Sequence, residues 1–225
     1  MKKTKIDWCD CTINPVVGCP RGCEYCYARK LNTRFKWIPD FSKPQFFPER
    51  LKQLESKKPK SIFMDSMSDI AFWDEKRVRD TFKAIKQNKQ HAYIFLTKSG
   101  YQGYGLYFGE RALWDEYDNC AENVFIGLSV TKQSEFPCGK RYQFLSIEPI
   151  LERIIIPYNY NISCVKQIII GAETGNRKGK VIPEKKWIDD IVRQADEHGV
   201  RVFMKESLRQ LMGADFRQDK LIWEV

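Results

Sequence analysis

Short apolar runs alternate with helical patterns along most of this chain, and that alternation is the strongest constraint on its fold. Runs such as Gln167–Ile170 are hydrophobic at nearly every position, which is typical of strands buried on both faces of a parallel sheet. The predicted strands are Thr12–Val17, Ser61–Met64, Ala92–Leu96, Val124–Ser129, Gln143–Ile147, Gln167–Ile170 and Arg201–Met204. The predicted helices are Phe47–Lys57, Asp74–Gln90 and Pro183–His198.

Repeated strand–helix units predict an α/β fold with a parallel sheet and right-handed crossovers. The predicted strands are one too few for a closed eight-stranded barrel, which usually needs about 250 residues, whereas the chain has 225. We therefore predict a partial, open parallel β/α barrel of about six to seven strands, formed by a single domain over residues 1–225. A doubly wound open sheet is the alternative. In both folds the site lies at the carboxyl ends of the strands.

Positive charge is concentrated near the N-terminus. The formal net charge is +9, and residues 1–60 hold 14 Lys or Arg against 6 Asp or Glu. This excess predicts an anionic partner, a nucleotide or a nucleic acid, that meets the N-terminal region. No apolar run approaches the roughly 20 residues of a membrane span, and no leader-like stretch opens the chain. We therefore expect a cytoplasmic protein without a membrane partner.

Cysteine spacing points to metal chemistry. Five of the eight cysteines lie within 18 positions: Cys9, Cys11, Cys19, Cys23 and Cys26. In the reducing compartment expected here, crowded thiols favour a metal site over disulfides. The other cysteines, Cys120, Cys138 and Cys164, stand alone and are expected to be small buried residues.

The last three of the clustered cysteines have the spacing C-x3-C-x2-C on a loop after the first predicted strand. Cys19, Cys23 and Cys26 can hold three irons of a 4Fe–4S cluster and leave the fourth iron open to a substrate or cofactor. Zinc is the alternative metal, with Cys9 or Cys11 as the fourth ligand.

With Tyr25, these cysteines match C-x3-C-x-aromatic-C, and here the sequence resembles the radical S-adenosylmethionine (SAM) superfamily. The resemblance implies a 4Fe–4S cluster whose open iron binds SAM, with Tyr25 near the adenine. It also implies that an electron from a donor such as flavodoxin or ferredoxin cleaves SAM reductively. The 5′-deoxyadenosyl radical that results would abstract a hydrogen atom from the substrate.

Two narrower resemblances follow from other segments. Asn14–Cys19, Cys26–Arg29 and Leu96–Lys98 are similar to the spore photoproduct lyase branch, which implies that Lys98 contacts SAM. The sequence most resembles the phage-associated three-cysteine radical SAM family of unassigned function. That resemblance covers nearly the whole chain, through Ser66–Asp69, Leu96–Lys98, Gly127–Val130, Ser146–Pro149, Gly171–Gly175 and Phe203–Lys205.

One departure from the lyase pattern bears on the substrate. The lyase has a cysteine hydrogen donor where this chain has Ser66, and the O–H bond of a serine is too strong for that role. Direct reversal of a thymine dimer is therefore not expected. A thiol donor would have to come from Cys9, Cys11 or Cys138.

The predicted site residues lie at predicted strand ends. Those expected to bind the cofactor are Tyr25, Ser66, Ser68, Asp69, Lys98 and Ser129, and those expected to face the substrate are Glu148, Glu173 and Lys205. Each has an alternative interpretation. Ser68 and Asp69 are also suited to cap a short helix, Lys98 to be an ordinary surface lysine, and the Glu and Lys side chains to form an internal ion pair.

Aromatic residues alternate with cations in the N-terminal region, as base stacking and phosphate pairing require. The aromatic residues are Trp8, Tyr27, Phe35, Trp37, Phe41, Phe46 and Phe47; the cations are Arg21, Arg29, Lys30, Arg34, Lys36 and Lys43. A hydrophobic lid with a basic rim is the alternative.

We predict a radical SAM enzyme that acts on a nucleic acid, a nucleotide or a modified base. The alternatives are a zinc or iron–sulfur nucleic-acid-binding module, and an enzyme for a small metabolite or peptide.

Overall fold

In the computed structural model of the protein, the structure describes residues 4–99, 121–136, 142–158, 160 and 162–224. Most of the Gly- and Tyr-rich loop and short helix predicted over residues 100–122 lies outside these residues, as do Cys120 and Cys138. Cys164, expected to be buried, is exposed at the end of the 3-10 helix Ile162–Cys164.

Strands and helices alternate as predicted. The strands are β1 (Cys11–Thr12), β2 (Val16–Val17), β3 (Gln45–Phe46), β4 (Ser61–Phe63), β5 (Ala92–Thr97), β6 (Val124–Ser129), β7 (Phe144–Ile147), β8 (Gln167–Ile170) and β9 (Arg201–Met204). The α-helices are α1 (Tyr27–Phe35), α2 (Glu75–Gln87), α3 (Lys185–Glu197) and α4 (Arg209–Met212). The 3-10 helices are Pro48–Glu55, Ile70–Phe72, Ala121–Asn123, Gln133–Glu135, Ile162–Cys164, Glu206–Leu208 and Gly213–Asp215. Among the described residues, no helix is long and apolar enough to cross a membrane.

The main sheet has seven strands in the order β1-β4-β5-β6-β7-β8-β9. The registers of β1 with β4, β4 with β5, and β6 through β9 are all parallel. The order follows the chain without the reversal that defines a doubly wound sheet. The predicted fold class, an α/β fold with a partial, open parallel β/α barrel, is therefore confirmed.

Two predicted elements differ from the structure. The first predicted strand, Thr12–Val17, is two short strands, because Pro15 has no N–H to continue the ladder, and Val16 pairs antiparallel with Phe46 of β3. The predicted helix Phe47–Lys57 is the 3-10 helix Pro48–Glu55. Phe47 precedes that helix and offers no side-chain acceptor to its first N–H groups.

The described residues form two compact units. The first unit contains residues 4–97, 121–125 and 223–224; the second contains residues 98–99, 126–136, 142–158, 160 and 162–222. The single domain predicted over residues 1–225 stays a prediction.

The core of the first unit joins the two ends of the described chain. Trp8 and Trp223 are buried, and the indole N–H of Trp223 donates to the Trp8 carbonyl at 2.8 Å. Trp8 also packs on Phe63 of β4, with 4.8 Å between ring centroids. Helix α2 stacks Phe82 on Phe95 of β5, at 5.5 Å. These aromatic contacts pack the N-terminal segment and helix α2 against β4 and β5.

The core of the second unit is formed by β7, β8 and β9. Strand β8 is buried along its whole length, as its continuous apolar run predicts. Gly127 of β6 leaves room for Phe144 of β7, because a Cβ at Gly127 would lie 2.3 Å from the Phe144 ring. This packing fixes the strand ends that carry the predicted site residues of the second unit.

Candidate functional site

The cysteine loop, residues 18–26, leaves β2 through a backbone turn that only glycine allows. Gly18 has φ +116°, and a Cβ there would lie 2.9 Å from the Pro44 Cα and 3.0 Å from the Phe41 carbonyl oxygen. The next amide, that of Cys19, donates to the same Phe41 carbonyl at 2.7 Å. The loop therefore follows β2 of the small antiparallel sheet, whereas the sequence predicted one continuous first strand before it.

The three thiols of this loop are half-buried and form no disulfide. Cys26 occupies the N-cap of α1, and its Sγ accepts a hydrogen bond from the Arg29 N–H at 3.4 Å. The partial positive charge at a helix N-terminus favours an anionic ligand or side chain at this position.

Cys19 has the thiol whose pKa is shifted most clearly. Burial, together with the charges of Asp69, Cys23 and Cys26, raises that pKa to about 12, against a hydrogen bond from the backbone of Arg21 that lowers it. The Arg29 guanidinium donates to the Cys19 carbonyl at 3.1 Å and lies 5.2 Å from the centroid of the Phe41 ring. Arg29 thus links the start of α1 to the first cysteine of the loop.

The donor set bears on both predicted metals. In the described ranges, no group of three His, Cys, Asp or Glu side chains lies close enough to hold one metal ion. A structural zinc needs four ligands within about 2.3 Å of a single point. Thiolates of a 4Fe–4S cluster each bind a different iron, so they need not converge in this way. Zinc and a 4Fe–4S cluster on Cys19, Cys23 and Cys26 therefore both stay predictions.

Cys11, one candidate for a fourth zinc ligand, is buried in β1, and that burial raises the pKa of its thiol. Because Cys11 is almost wholly buried, its thiol could reach a metal only if the strand rearranged. The position of Cys11 is that of a structural residue of the sheet.

Of the residues predicted to bind the cofactor, Ser66 lies in a network beside the cysteine loop. Its hydroxyl donates to the Asn14 side-chain oxygen at 3.0 Å, and its carbonyl accepts from the Tyr27 hydroxyl at 2.7 Å. The same oxygen of Asn14 accepts from the Met67 N–H at 2.9 Å. Tyr25, predicted to lie near an adenine, is half-buried in the loop. Sequence reasoning missed Asn14 as the residue that holds this turn.

Ser68 and Asp69 begin a short helix, as the alternative interpretation predicted. Asp69 caps Ile70–Phe72 by accepting from the Ala71 N–H at 3.1 Å, and the Ser68 hydroxyl accepts from the Trp73 indole at 3.1 Å.

Asp69 also contacts the cysteine loop. Its second oxygen lies 3.7 Å from Nε of Arg21, which stands between Cys19 and Cys23. Its first oxygen accepts from the Thr97 hydroxyl at 2.7 Å. Asp69 is therefore both a helix cap and an anchor for the loop that carries the thiols.

Asp65 is a buried acid that sequence reasoning missed. It accepts from the Leu96 N–H at 3.1 Å, and burial raises its pKa well above the usual range, with the charge of Asp69 as the second cause. A signal for it was available, since Asp65 directly follows the predicted strand Ser61–Met64.

In the second unit, the structure brings Lys98 and Ser129 together. The Lys98 ammonium donates to the Ser129 hydroxyl at 2.7 Å, and Ser129 is buried. Lys98 directly follows β5, and Ser129 is the last residue of β6, so both lie at strand ends as the sequence predicted.

Glu148 and Lys205 form an ion pair in the same unit, as the alternative interpretation predicted. Gly171 leaves space for this pair, because a Cβ there would lie 3.0 Å from Lys205 Cδ and 3.2 Å from Glu148 Cγ. Glu173 has a different partner. It is buried and accepts from both sides of the Arg177 guanidinium, at 2.6 and 2.8 Å. Arg177 was not among the predicted residues.

A surface groove of about 560 Å³ beside α3 is separate from all these residues. Its wall includes Lys185, which pairs with Asp189 at 2.9 Å and with Asp215 at 3.0 Å. None of the predicted site residues lines it. Its polar wall is already satisfied by exposed ion pairs, so we place no chemistry there.

The fold and these side chains define a parallel β/α protein with a three-thiol loop. The chain belongs to the family described as "Protein of unknown function (DUF5131)", whose model matches residues 3–212. No curated protein and no solved structure matches the chain.

This family assignment corrects the resemblance drawn from the sequence. The matching family is one of unknown function, and no radical SAM family model matches the chain. Membership of the radical SAM superfamily, of its phage-associated three-cysteine family or of the spore photoproduct lyase branch is therefore wrong. The cysteine spacing describes one ligand loop, and such a loop reports the chemistry of its thiols without fixing the descent of the whole chain.

Proposed function

We propose that this protein is an iron–sulfur enzyme that holds a 4Fe–4S cluster on Cys19, Cys23 and Cys26 and uses it to cleave SAM reductively. A nucleic acid, a nucleotide or a modified base would donate the hydrogen atom that the cleaved adenosyl group takes up. The cluster is inferred from the side chains of the cysteine loop, and the use of SAM is the expectation that the C-x3-C-x-aromatic-C pattern raised.

The observation that carries the proposal is the set of three half-buried thiols on a single loop that runs into the N-cap of α1. Three protein thiolates leave the fourth iron of a cluster without a protein ligand, which is where a second ligand binds. When bound, the cluster supplies an electron that breaks a carbon–sulfur bond of SAM, so that methionine leaves and the adenosyl carbon takes a hydrogen atom from the substrate.

Residues of the loop have defined tasks in this proposal. Cys19, Cys23 and Cys26 bind the irons, and the N-terminus of α1 favours the negative charge of the Cys26 thiolate. Arg29 holds the Cys19 carbonyl, and Asp69 holds Arg21, so the first half of the loop is fixed before the cluster binds. Tyr25, Ser66, Ser68 and Asp69 stay the predicted SAM contacts of the first unit.

In the second unit, Lys98 is predicted to pair with the carboxylate of SAM as a point charge, and Ser129 orients its ammonium group. Glu148, Glu173 and Lys205 stay the predicted substrate-side groups. An anionic substrate and a small reducing protein of the flavodoxin or ferredoxin type are the partners that this chemistry requires.

The test is anaerobic reconstitution with iron and sulfide, followed by a SAM cleavage assay with dithionite as the reductant. We expect about four irons per chain with labile sulfide, and formation of 5′-deoxyadenosine and methionine. Deuterium that moves from a labelled oligonucleotide or nucleoside into 5′-deoxyadenosine would identify the substrate. The Cys19→Ser, Cys23→Ser and Cys26→Ser variants should lose both iron and cleavage, and Cys164→Ser, an exposed cysteine in the second unit, should lose neither.

Other outcomes separate the alternatives. One zinc per chain, with nucleic-acid binding but no cleavage of SAM, would replace the proposal by a zinc-binding module. Cleavage of SAM with deuterium transfer from a peptide or small metabolite, and from no nucleoside, would keep the chemistry and change the substrate. An iron-loaded protein that forms no 5′-deoxyadenosine would end the proposal.

A further inference from the structure

The C-terminal end of α1 carries two exposed aromatic rings between two cations. Arg34, Phe35, Lys36 and Trp37, here called the aromatic turn, are all exposed. Phe35 is 52% exposed and Trp37 is 44% exposed, although such large apolar side chains are usually buried. An exposed pair of this size in a folded unit calls for a physical explanation.

The two rings are stacked on each other. Their centroids are 5.2 Å apart and their planes differ by 22°, and the Arg34 guanidinium lies 5.1 Å from the centroid of the Phe35 ring. The Arg34 guanidinium and the rings of Phe35 and Trp37 therefore form one stack, and both rings are exposed to solvent. Flat layers of this kind accept a further aromatic ring by stacking.

The backbone under the aromatic turn is fixed. The side chain of the buried Asn32 accepts from the Ile38 N–H at 3.0 Å and donates to the Ile38 carbonyl at 2.9 Å. Lys36 has the left-handed φ of 54°, and its N–H donates to the Asn32 carbonyl at 2.7 Å. These bonds hold Trp37 outward between two anchored residues, so little ordering is needed when a ligand binds.

The surrounding charge is positive. Lys30 and Arg34 are four residues apart on α1, where like charges destabilise a helix. Within the described part of the chain, no carboxylate forms an ion pair with Lys30, Arg34 or Lys36. The adjacent acid, Asp40, instead pairs with Lys43 at 3.8 Å. The cations of the aromatic turn are therefore available to an anion.

We propose that the aromatic turn binds single-stranded nucleic acid, with a base stacked on the Phe35–Trp37 pair and phosphates paired with Arg34 and Lys36. Stacking accepts any base, since every base has a flat face, and cations at the edge of the stack follow the backbone. A duplex hides its base faces, so it would meet the cations alone. The inference rests on the proposed function only for the class of substrate, because the binding itself requires neither cluster nor SAM.

The test is fluorescence anisotropy of labelled single strands of about 12 nucleotides, one of DNA and one of RNA, titrated with the full chain. Both strands are expected to bind, since they share base planes and phosphates, and the duplex of the same sequence is expected to bind more weakly. Trp37→Leu should weaken single-strand binding roughly tenfold, while Trp37→Phe, which keeps a ring, should retain most of it. Arg34→Gln should lower the slope of log affinity against log salt by about 0.7.

Matched control variants test whether binding depends on the aromatic turn or on any exposed aromatic ring or cation. Tyr158→Ala removes a fully exposed aromatic of the second unit, and Arg193→Gln removes an exposed cation of α3; neither should change binding. The proposal is overturned if Trp37→Leu, shown to be folded by circular dichroism, binds as wild type does, or if the duplex binds as tightly as the single strand. It is also overturned if Trp37→Leu abolishes self-association of the chain and leaves nucleic-acid binding unchanged.

The cysteine variants separate this inference from the proposed function. A triple Cys19/Cys23/Cys26→Ser chain should bind single strands as wild type does and fail to cleave SAM. If the wild-type chain binds single strands through Trp37 but does not cleave SAM, the aromatic turn stands and the proposed chemistry falls. If it cleaves SAM and shows no Trp37-dependent binding, the proposed chemistry stands and the role of the aromatic turn falls.

Discussion

Ionisable side chains have different surroundings in the two units. In the second unit, Glu148 pairs with Lys205, and Glu173 receives two hydrogen bonds from Arg177. In the first unit, the three thiols of the cysteine loop are half-buried and do not converge with any described acid or imidazole on one point. Glu148 and Lys205, and Glu173 and Arg177, thus stabilise each other as charged pairs, whereas Cys19 and Cys26 accept hydrogen bonds from backbone N–H groups. Chemistry that needs an external group is therefore expected from the first unit.

The largest effect should come from removing the thiols of the first unit, compared with removing an ion pair of the second unit. In reconstituted protein, the triple Cys19/Cys23/Cys26→Ser variant should fall from about four irons per chain to background, because the thiolates are the proposed ligands. The Glu148→Gln/Lys205→Met variant should keep its iron, since Glu148 and Lys205 pair with each other in the wild-type chain and are not proposed iron ligands. Colorimetric iron and sulfide analysis measures both. Iron retained by the triple cysteine variant would contradict the proposed difference between the two units.

A second effect separates two glycines of the cysteine loop. Gly18→Ala should lower the free energy of unfolding by about 3 kcal/mol, because its positive φ and the nearby Pro44 and Phe41 backbone both oppose a Cβ. Gly22→Ala should cost about 1 kcal/mol, since Gly22 has φ +75° but open space around it. Urea denaturation of the two variants gives the comparison. Equal losses would show that backbone conformation alone, without packing, fixes the loop.

The buried acid of the first unit should make stability depend on pH. The raised pKa of Asp65 means that its stabilising contribution is complete below its unfolded pKa and is lost as the pH rises through the folded-state pKa. Asp65→Asn cannot ionise, so the free energy of unfolding of the variant relative to wild type should increase with pH above about 4, by at most about 1.4 kcal/mol per pH unit. Urea titrations between pH 4 and pH 7 (roughly the range below neutrality in which carboxyl groups titrate) measure this slope. A flat difference would show that Asp65 is ionised in the folded chain.

The smallest effect should be the coupling within the ion pair of the second unit. A double-mutant cycle on Glu148→Gln and Lys205→Met should give about 1 kcal/mol, because both side chains are largely, though not fully, screened from solvent. The exposed pair of Arg193 and Glu197 is the matched control and should give about 0.3 kcal/mol. Coupling no larger than that of the control would mean that Glu148 and Lys205 are not held together in solution.

The strands of the second unit could be predicted from sequence almost to the residue. Val124–Ser129, Gln167–Ile170 and Arg201–Met204 are continuous apolar runs, because strands buried on both faces have no polar face to interrupt the pattern. The prediction failed around Pro15, where one apolar run contains two strands that pair with different partners. Apolar pattern reports burial, and it does not report which neighbour a strand will choose.

Within the site, the spacing of residues along the sequence was informative where the proposed ligands lie on one loop. Cys19, Cys23 and Cys26 could be singled out because ligands on one loop must follow each other closely. The contacts of Tyr27 with Ser66 and of Arg21 with Asp69 could not, since they depend on the turn at Gly18 and join residues that are 39 and 48 positions apart. The family was wrong because short segments at strand ends, matched one by one along the chain, were taken to show common descent.

The contact of Trp223 with Trp8 has a consequence for how the protein is made. The first unit contains residues from both ends of the described chain, and the indole of Trp223 completes the core around Trp8. During synthesis, that core cannot close until residue 223 has left the ribosome, by which time every strand of the second unit has already emerged. The packing around Trp8 is thus completed only after the strands of the second unit have emerged.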